Sequence, residues 1–175
     1  ADAVNGLISF LPQLTATKAV DKSSFEPKAG QSYDLTYTLN VKNTSTRNSG
    51  TKPIEVDGQT INAVVLLDEL PANTTFKSAK ANNSKALVLY PLGQDKFTQQ
   101  IPNDKSLINT LVVAYPQALA ANVTETVELV VTMNSNISRT SISNIFSVEH
   151  GLVSNIKKTL SNEVVTTVGG SSSIT

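Results

Sequence analysis

Residues Ser32–Asn43 read SYDLTYTLNVKN. Tyr33, Leu35, Tyr37, Leu39 and Val41 take alternate positions, with Asp34, Thr36, Thr38 and Asn40 between them. Successive side chains of a strand point to opposite faces, so this is a half-buried antiparallel strand with one apolar and one wet side. The same period of two recurs along the chain. In TETVELVVTMN, Val127, Leu129, Val131 and Met133 alternate with Glu128, Val130 and Thr132. SISNIFSVEH puts Ile142, Phe146 and Val148 in phase, TLSNEVVTTV does so with Leu160, Val164 and Val168, and LTATKAV with Leu14, Ala16 and Val20.

One segment breaks the alternation. INAVVLLDEL, Ile61–Leu70, is apolar on both faces, which places it in a sheet interior or against a covering loop. It leaves through Leu70-Pro71-Ala72, since proline locks φ and cannot donate to the ladder, and Phe76 returns to the core on the next strand. At that exit Asp68 and Glu69 reach solvent or the free N–H groups of the turn. KALVLYPL and INTLVVAYP read as further strands, each stopped by a proline. FEPKAGQS, TSTRNSGTKP, VDGQT, LPANTT, PLGQDK, IPNDKS and MNSNISR are turn or loop signals between the runs. The best helical stretch is the short YPQALAAN. Short strands separated by turns predict an immunoglobulin-like antiparallel β-sandwich of seven to ten strands with Greek-key connections, spanning residues 13–168. Residues 1–12 form an arm or an extra strand, and residues 169–175 a tail flexible by composition.

The composition narrows the function. The chain has 175 residues, 39% apolar and 16% charged, with a formal net charge of zero, so it lacks the basic footprint of nucleic-acid binding. There is no cysteine, which removes disulfides, thiolate catalysis and cysteine-ligated metal. Thr, Ser and Asn carry solubility in place of Lys and Glu, as suits an all-β exported protein. No apolar run reaches the ~18 residues of a membrane span, so direct insertion is not expected. The start ADAVNG without Met fits a chain whose signal has been removed, or a trimmed one.

FEPKAGQSYDLTYTLNVKNTS followed by INAVVLLDELPANTTFKSAKA resembles a bacterial and archaeal surface-protein family, a conserved repeat domain of unknown function that is number eleven in its series. The matching pieces are Pro27 to Gly30, Val41 to Thr44, Asp68 to Phe76, Leu119 to Asn122, and SISNIFSVE with LSNEVVTTV. The loop Ser45–Thr60 is longer than the family usually has, Asn122 stands where Gly is common, and one copy is present instead of a tandem array. The resemblance implies an immunoglobulin-like sandwich in an extracellular, usually non-catalytic role.

Catalytic constellations are weak. The single histidine, His150, sits before Gly151 and reads as a turn residue at a strand end; no G-x-S-x-G elbow accompanies it. One histidine cannot make a zinc site, and VDGQT and IPNDKS lack the regular acid spacing of a calcium loop, so neither metal nor cofactor is expected. Asp68 and Glu69 are adjacent and point to opposite faces, unlike a glycosidase pair.

Lys18, Asn162 and Asp68 are more informative. Lys18 is in phase with Leu14, Ala16 and Val20, Asn162 with Leu160 and Val164, and Asn144 lies between Ile142 and Phe146. Inward lysine and asparagine on the first and last strands resemble pilin-type domains that form a Lys–Asn isopeptide bond. Burial would make the amine a nucleophile, and Asp68 is the expected acid that polarises the amide. Asn162 is the expected partner of Lys18, with Asn144 as the alternative. Against this stands the plain reading: Lys18 snorkels to the rim and the asparagines satisfy backbone groups.

The expected function is a non-catalytic extracellular structural protein, a subunit of a cell-surface layer or pilus-like filament. Its partners are further copies of itself or neighbouring surface proteins. Leu7, Ile8, Phe10 and Leu11 mark the N-terminal arm as a subunit-contact segment suited to strand addition. The alternative is an adhesin or binding module that holds carbohydrate or protein through its long 45–60 loop.

Overall fold

A computed structural model describes residues 13–134, 139–152 and 155–169. The fold is an all-β sandwich. Its first layer is a four-stranded antiparallel sheet in the order β1-β3-β10-β6, formed by β1 (Leu14–Val20), β3 (Tyr33–Asn43), β10 (Thr124–Met133) and β6 (Thr74–Ala81). β3 is central, with Val20 opposite Tyr37 on one side and Leu129 opposite Tyr37 on the other. The alternation does what the sequence predicts. Leu35, Tyr37, Leu39, Val41, Val127, Leu129, Val131 and Met133 are all buried in one core.

The opposing layer has two parts. β5 (Gln59–Glu69), β9 (Thr110–Tyr115) and β12 (Ser147–Leu152) are paired, and β12 also pairs β13 (Asn155–Leu160). A small sheet of β11 (Thr140–Asn144), β14 (Val164–Val168) and the two-residue β2 (Ser24–Phe25) completes the layer. The fourteen strand segments among the described residues exceed the expected seven to ten, and two pairings, β14 with β2 and β4 (Lys52–Val56) with β8 (Lys96–Thr98), are parallel.

Much of the excess comes from a second, smaller core. β4 (Lys52–Val56), β7 (Leu87–Gly93) and β8 (Lys96–Thr98) join β5 and β9 in a closed ring of pairings: β5–β4, β4–β8, β8–β7, β7–β9 and β9–β5. Val64 and Leu66 of β5 enter the main core, whereas Ala63 and Val65 enter the small one with Ile54, Val56, Leu89, Phe97, Val112 and Ala114. That explains why Ile61–Leu70 is apolar on both faces.

Several expectations are corrected. The supposed long loop 45–60 contains β4, which turns into β5 through Asp57 and Gly58 at φ 49° and 83°. Both positive φ values suit a two-residue hairpin, and glycine takes the second without a Cβ penalty. Proline does not stop β7: Pro91 lies inside it, at an irregularity of register. YPQALAAN is not helical, and the one helical turn described is a 3₁₀ turn at Lys105–Leu107. SISNIFSVEH and TLSNEVVTTV are each two strands. The chain changes sheets at Ile145-Phe146 and again at 161–163, and Phe146 and Ser161 tie these corners together through Ser161 N–H to Phe146 O (2.9 Å) and Phe146 N–H to Ser161 Oγ (3.0 Å). No helix among the described residues is long and apolar enough to cross a membrane.

Candidate functional site

β1 carries Lys18 into the main core because Leu14 and Lys18 share its inward face; Lys18 is 5% exposed. β5 brings Asp68 from the opposite sheet on the same face as Val64 and Leu66, and Asp68 is fully buried. Its expected place at a solvated turn is therefore wrong: the exit begins one residue later, at exposed Glu69. The Lys18 ammonium nitrogen meets Asp68 Oδ2 directly, with both side chains wholly out of solvent. The Tyr37 ring lies 4.5 Å from that nitrogen and the Phe146 ring 5.9 Å, so the pocket has aromatic walls.

Such a pocket disfavours charge. Burial lowers the Lys18 amine from its ordinary value, and the attraction of Asp68 does not restore it. Burial likewise raises the Asp68 carboxyl against the opposing pull of Lys18. Both shifts favour the neutral pair, a free amine beside a protonated acid.

The structure separates the two asparagines. Asn144, 4% exposed, stands beside the pair: its Nδ2 donates to Glu69 O at 2.8 Å, and its side chain, with Lys18, pulls the Asp68 carboxyl down against the larger upward effect of burial. Two buried oxygens there have no hydrogen-bond partner, Asp68 Oδ1 and Asn144 Oδ1. With Nδ2 committed to Glu69, the Asn144 amide orientation is set, and its oxygen is the acceptor left over. Asn162 is not inward. It is exposed, in the connection between β13 and β14, and it grips the Lys18 backbone instead: Lys18 N–H donates to Oδ1 at 2.8 Å, and Nδ2 donates to Lys18 O at 2.9 Å. Its period-two phase with Leu160 and Val164 fails because β13 ends at Leu160, itself exposed. Lys18, Asp68 and Asn144 are thus brought together, and Asn162 braces the backbone behind them.

The other sequence candidates are placed differently. His150 is no turn residue; it lies within β12, buried, with its pKa lowered by desolvation and by Lys157 across the pair. Asp57 belongs to the β4–β5 turn and Asp104 caps the 3₁₀ turn, accepting from Ser106 N–H at 3.0 Å. No cluster of potential metal ligands occurs among the described residues. Leu7, Ile8, Phe10 and Leu11 lie outside the described residues. Sequence reasoning missed a second charged group: buried Lys52 holds Asp95 Oδ1 and Glu149 Oε2, each at 2.9 Å. Lys52 sits in a stretch that reads only as a turn, so nothing marked it.

No protein-family model and no curated protein matches the sequence. Solved structures do share the fold. The major pilin subunit BcpA of Bacillus cereus matches at a TM-score of 0.56 in one structure, with 8% identity over 90% of this chain and 40% of the pilin. A second BcpA structure gives a TM-score of 0.51, 10% identity and the same coverage. The full-length major pilin SpaD of Corynebacterium diphtheriae gives 0.49 and 17% identity, over 89% of this chain and 35% of that one. This chain spans about 40% of the length of the pilin it matches, and at such identities the likeness is one of fold.

Proposed function

We propose that this chain is a non-catalytic structural domain of an extracellular, pilus-like filament, closed by an internal amide between Lys18 and Asn144 and joined to neighbouring copies through residues 1–12. The observation that carries it is the fully buried Lys18–Asp68 pair with the unpaired carbonyl oxygen of Asn144 beside it. A buried Lys–Asp pair, whether charged or neutral, is weak support for stability, which leaves room for a chemical role. The fold is also one that a major pilin subunit uses.

The chemistry balances without an added reagent. The free amine of Lys18 attacks Cγ of Asn144 while Asp68, protonated, donates to Oδ1 and draws charge from the carbonyl. The Nζ–Cγ bond forms, the Cγ–Nδ2 bond breaks, and the proton shed by Nζ passes through the Asp68 carboxyl to Nδ2. One ammonia leaves and Asp68 is regenerated. The bond ties β1 to β11 across most of the chain, and by loop closure contributes roughly 5 kcal/mol.

Intact mass spectrometry tests it. The folded protein is expected about 17 Da below the mass of its sequence, one ammonia. Lys18→Met, Asp68→Ala and Asn144→Ala are expected at full mass. An unshifted wild-type mass overturns the cross-link. Electron microscopy tests assembly separately: the full chain is expected to form filaments, and the chain lacking residues 1–12 is not.

A further inference from the structure

The free edges of the sheets are not equally protected. β6 carries Lys77 and Lys80, and β13 carries Lys157 and Lys158. Lysines on an edge deter another strand from pairing there. β1 is blocked by Asn162, whose amide occupies both backbone groups of Lys18. β11 has none of these devices. Thr140–Asn144 contains no charge and no proline, and among the described residues it is laddered only to β14. Beside it runs a cleft of about 430 Å³ whose apolar side is Leu67, Leu70, Pro71, Ile145, Phe146 and Leu160, with Glu69, Glu149 and Lys158 among its polar lining. Ile145 is 41% exposed and Leu160 59%, large apolar side chains left in water.

The arm leaves from the other end of the molecule. Leu14 opens β1 opposite Asn43, and Thr124 pairs at that same pole with Lys42. The cleft lies towards the opposite pole, where Pro71 precedes Thr74, which pairs with Met133, and Met133 pairs with Tyr33. The Gln13 carbonyl still accepts from Thr44 N–H at 3.0 Å, so the chain enters β1 in line with it, from the side away from the cleft.

We infer that the β11 edge and its cleft accept residues 7–11, Leu-Ile-Ser-Phe-Leu, of a second copy of this chain. This rests on the filament reading above. The segment is neutral like β11; one alternate set, Ile8 and Phe10, is wholly apolar, and in the other Leu7 and Leu11 flank Ser9. Its backbone satisfies the open edge while its side chains fill the cleft, which is strand addition. Because β1 begins at the pole opposite the cleft and the donor segment and acceptor edge are different surfaces, the contact inferred is heterologous, the kind that propagates as a filament where its rotation does not close.

Single cysteines test the pairing, since the chain has none of its own. Ile8→Cys and Ser143→Cys proteins, mixed and oxidised, are expected to give a covalent heterodimer, and the double variant a ladder of covalent oligomers. A double variant that yields only an internally linked monomer overturns the inference, because the arm then folds onto its own domain. Ser141→Lys with Ser143→Lys is expected to keep the circular dichroism spectrum and lose filaments. Filaments that persist place the acceptor elsewhere and leave the filament reading standing; absence of polymer from the unmodified full chain defeats both. As a check independent of assembly, a synthetic peptide of residues 3–13 is expected to raise the melting temperature of protein lacking residues 1–12. Failure to do so, or an equal rise with a scrambled peptide, counts against the site.

Discussion

At the scale of single residues, the two asparagines are placed differently: Asn144 in the core beside Lys18 and Asp68, Asn162 on the Lys18 backbone. Both occur in stretches of alternating sequence, but only Asn144 follows the strand phase into the core. Asn162 sits in a sheet-changing corner, where phase has no meaning, and uses its amide as a one-residue strand along β1. Asn162→Ala is expected to cost about 1–2 kcal/mol through two lost hydrogen bonds, read as a lower midpoint in urea, while the 17 Da deficit of the ammonia loss remains. Asn144→Ala is expected to remove that deficit. If the mass returns to full in Asn162→Ala and not in Asn144→Ala, the assignment of the cross-link is wrong. Lys18 was legible because its neighbours alternate. The burial of Asp68 was not, because a run apolar on both faces hides its phase, nor was their meeting, because the two lie on different sheets.

At the scale of elements, β5 and β9 are walls shared by two cores. Their double-sided apolarity is visible in sequence, but its cause is not. Of the strands that cover the second face, β7 reads as a strand up to Pro91, but β4, which contains Pro53, and β8 are short and lie between turn signals, so those two read as loop. Only pairing across the ring makes them strands. Phe97 of β8 is the largest side chain in the small core and 5% exposed. Phe97→Ala is expected to destabilise by about 3–4 kcal/mol, since the ring around it has few atoms with which to fill the cavity. Because β5 and β9 serve both cores, calorimetry of this variant is expected to show one lowered transition. Two separate transitions would mean that the small core folds as a unit of its own.

At the scale of the whole molecule, the formal net charge is zero, so pH acts through particular buried groups instead of general repulsion. His150 is the clearest. Its folded pKa lies below the ordinary 6.5, through burial first and Lys157 second. The unfolded chain therefore binds the proton more readily, and stability must rise with pH across the interval between the lowered value and 6.5. Acidifying through that interval is expected to weaken the fold, and His150→Gln is expected to flatten the decline. An unchanged slope in urea titrations of the variant would show that another group carries it.

The sequence by itself determined the layers. Strand periodicity and turn chemistry are local, and burying one face of each alternating run leaves a sandwich as the solution. It also marked Lys18 as inward, because a charge in phase with leucine and valine has nowhere else to point. Tertiary structure decided which asparagine stands beside that amine, that Asp68 is sealed from solvent, that β5 has a second core behind it, and which sheet edge is left open among the described residues. Each of these depends on contacts between segments far apart in the chain, and such contacts are fixed by register and strand order, which no local pattern encodes.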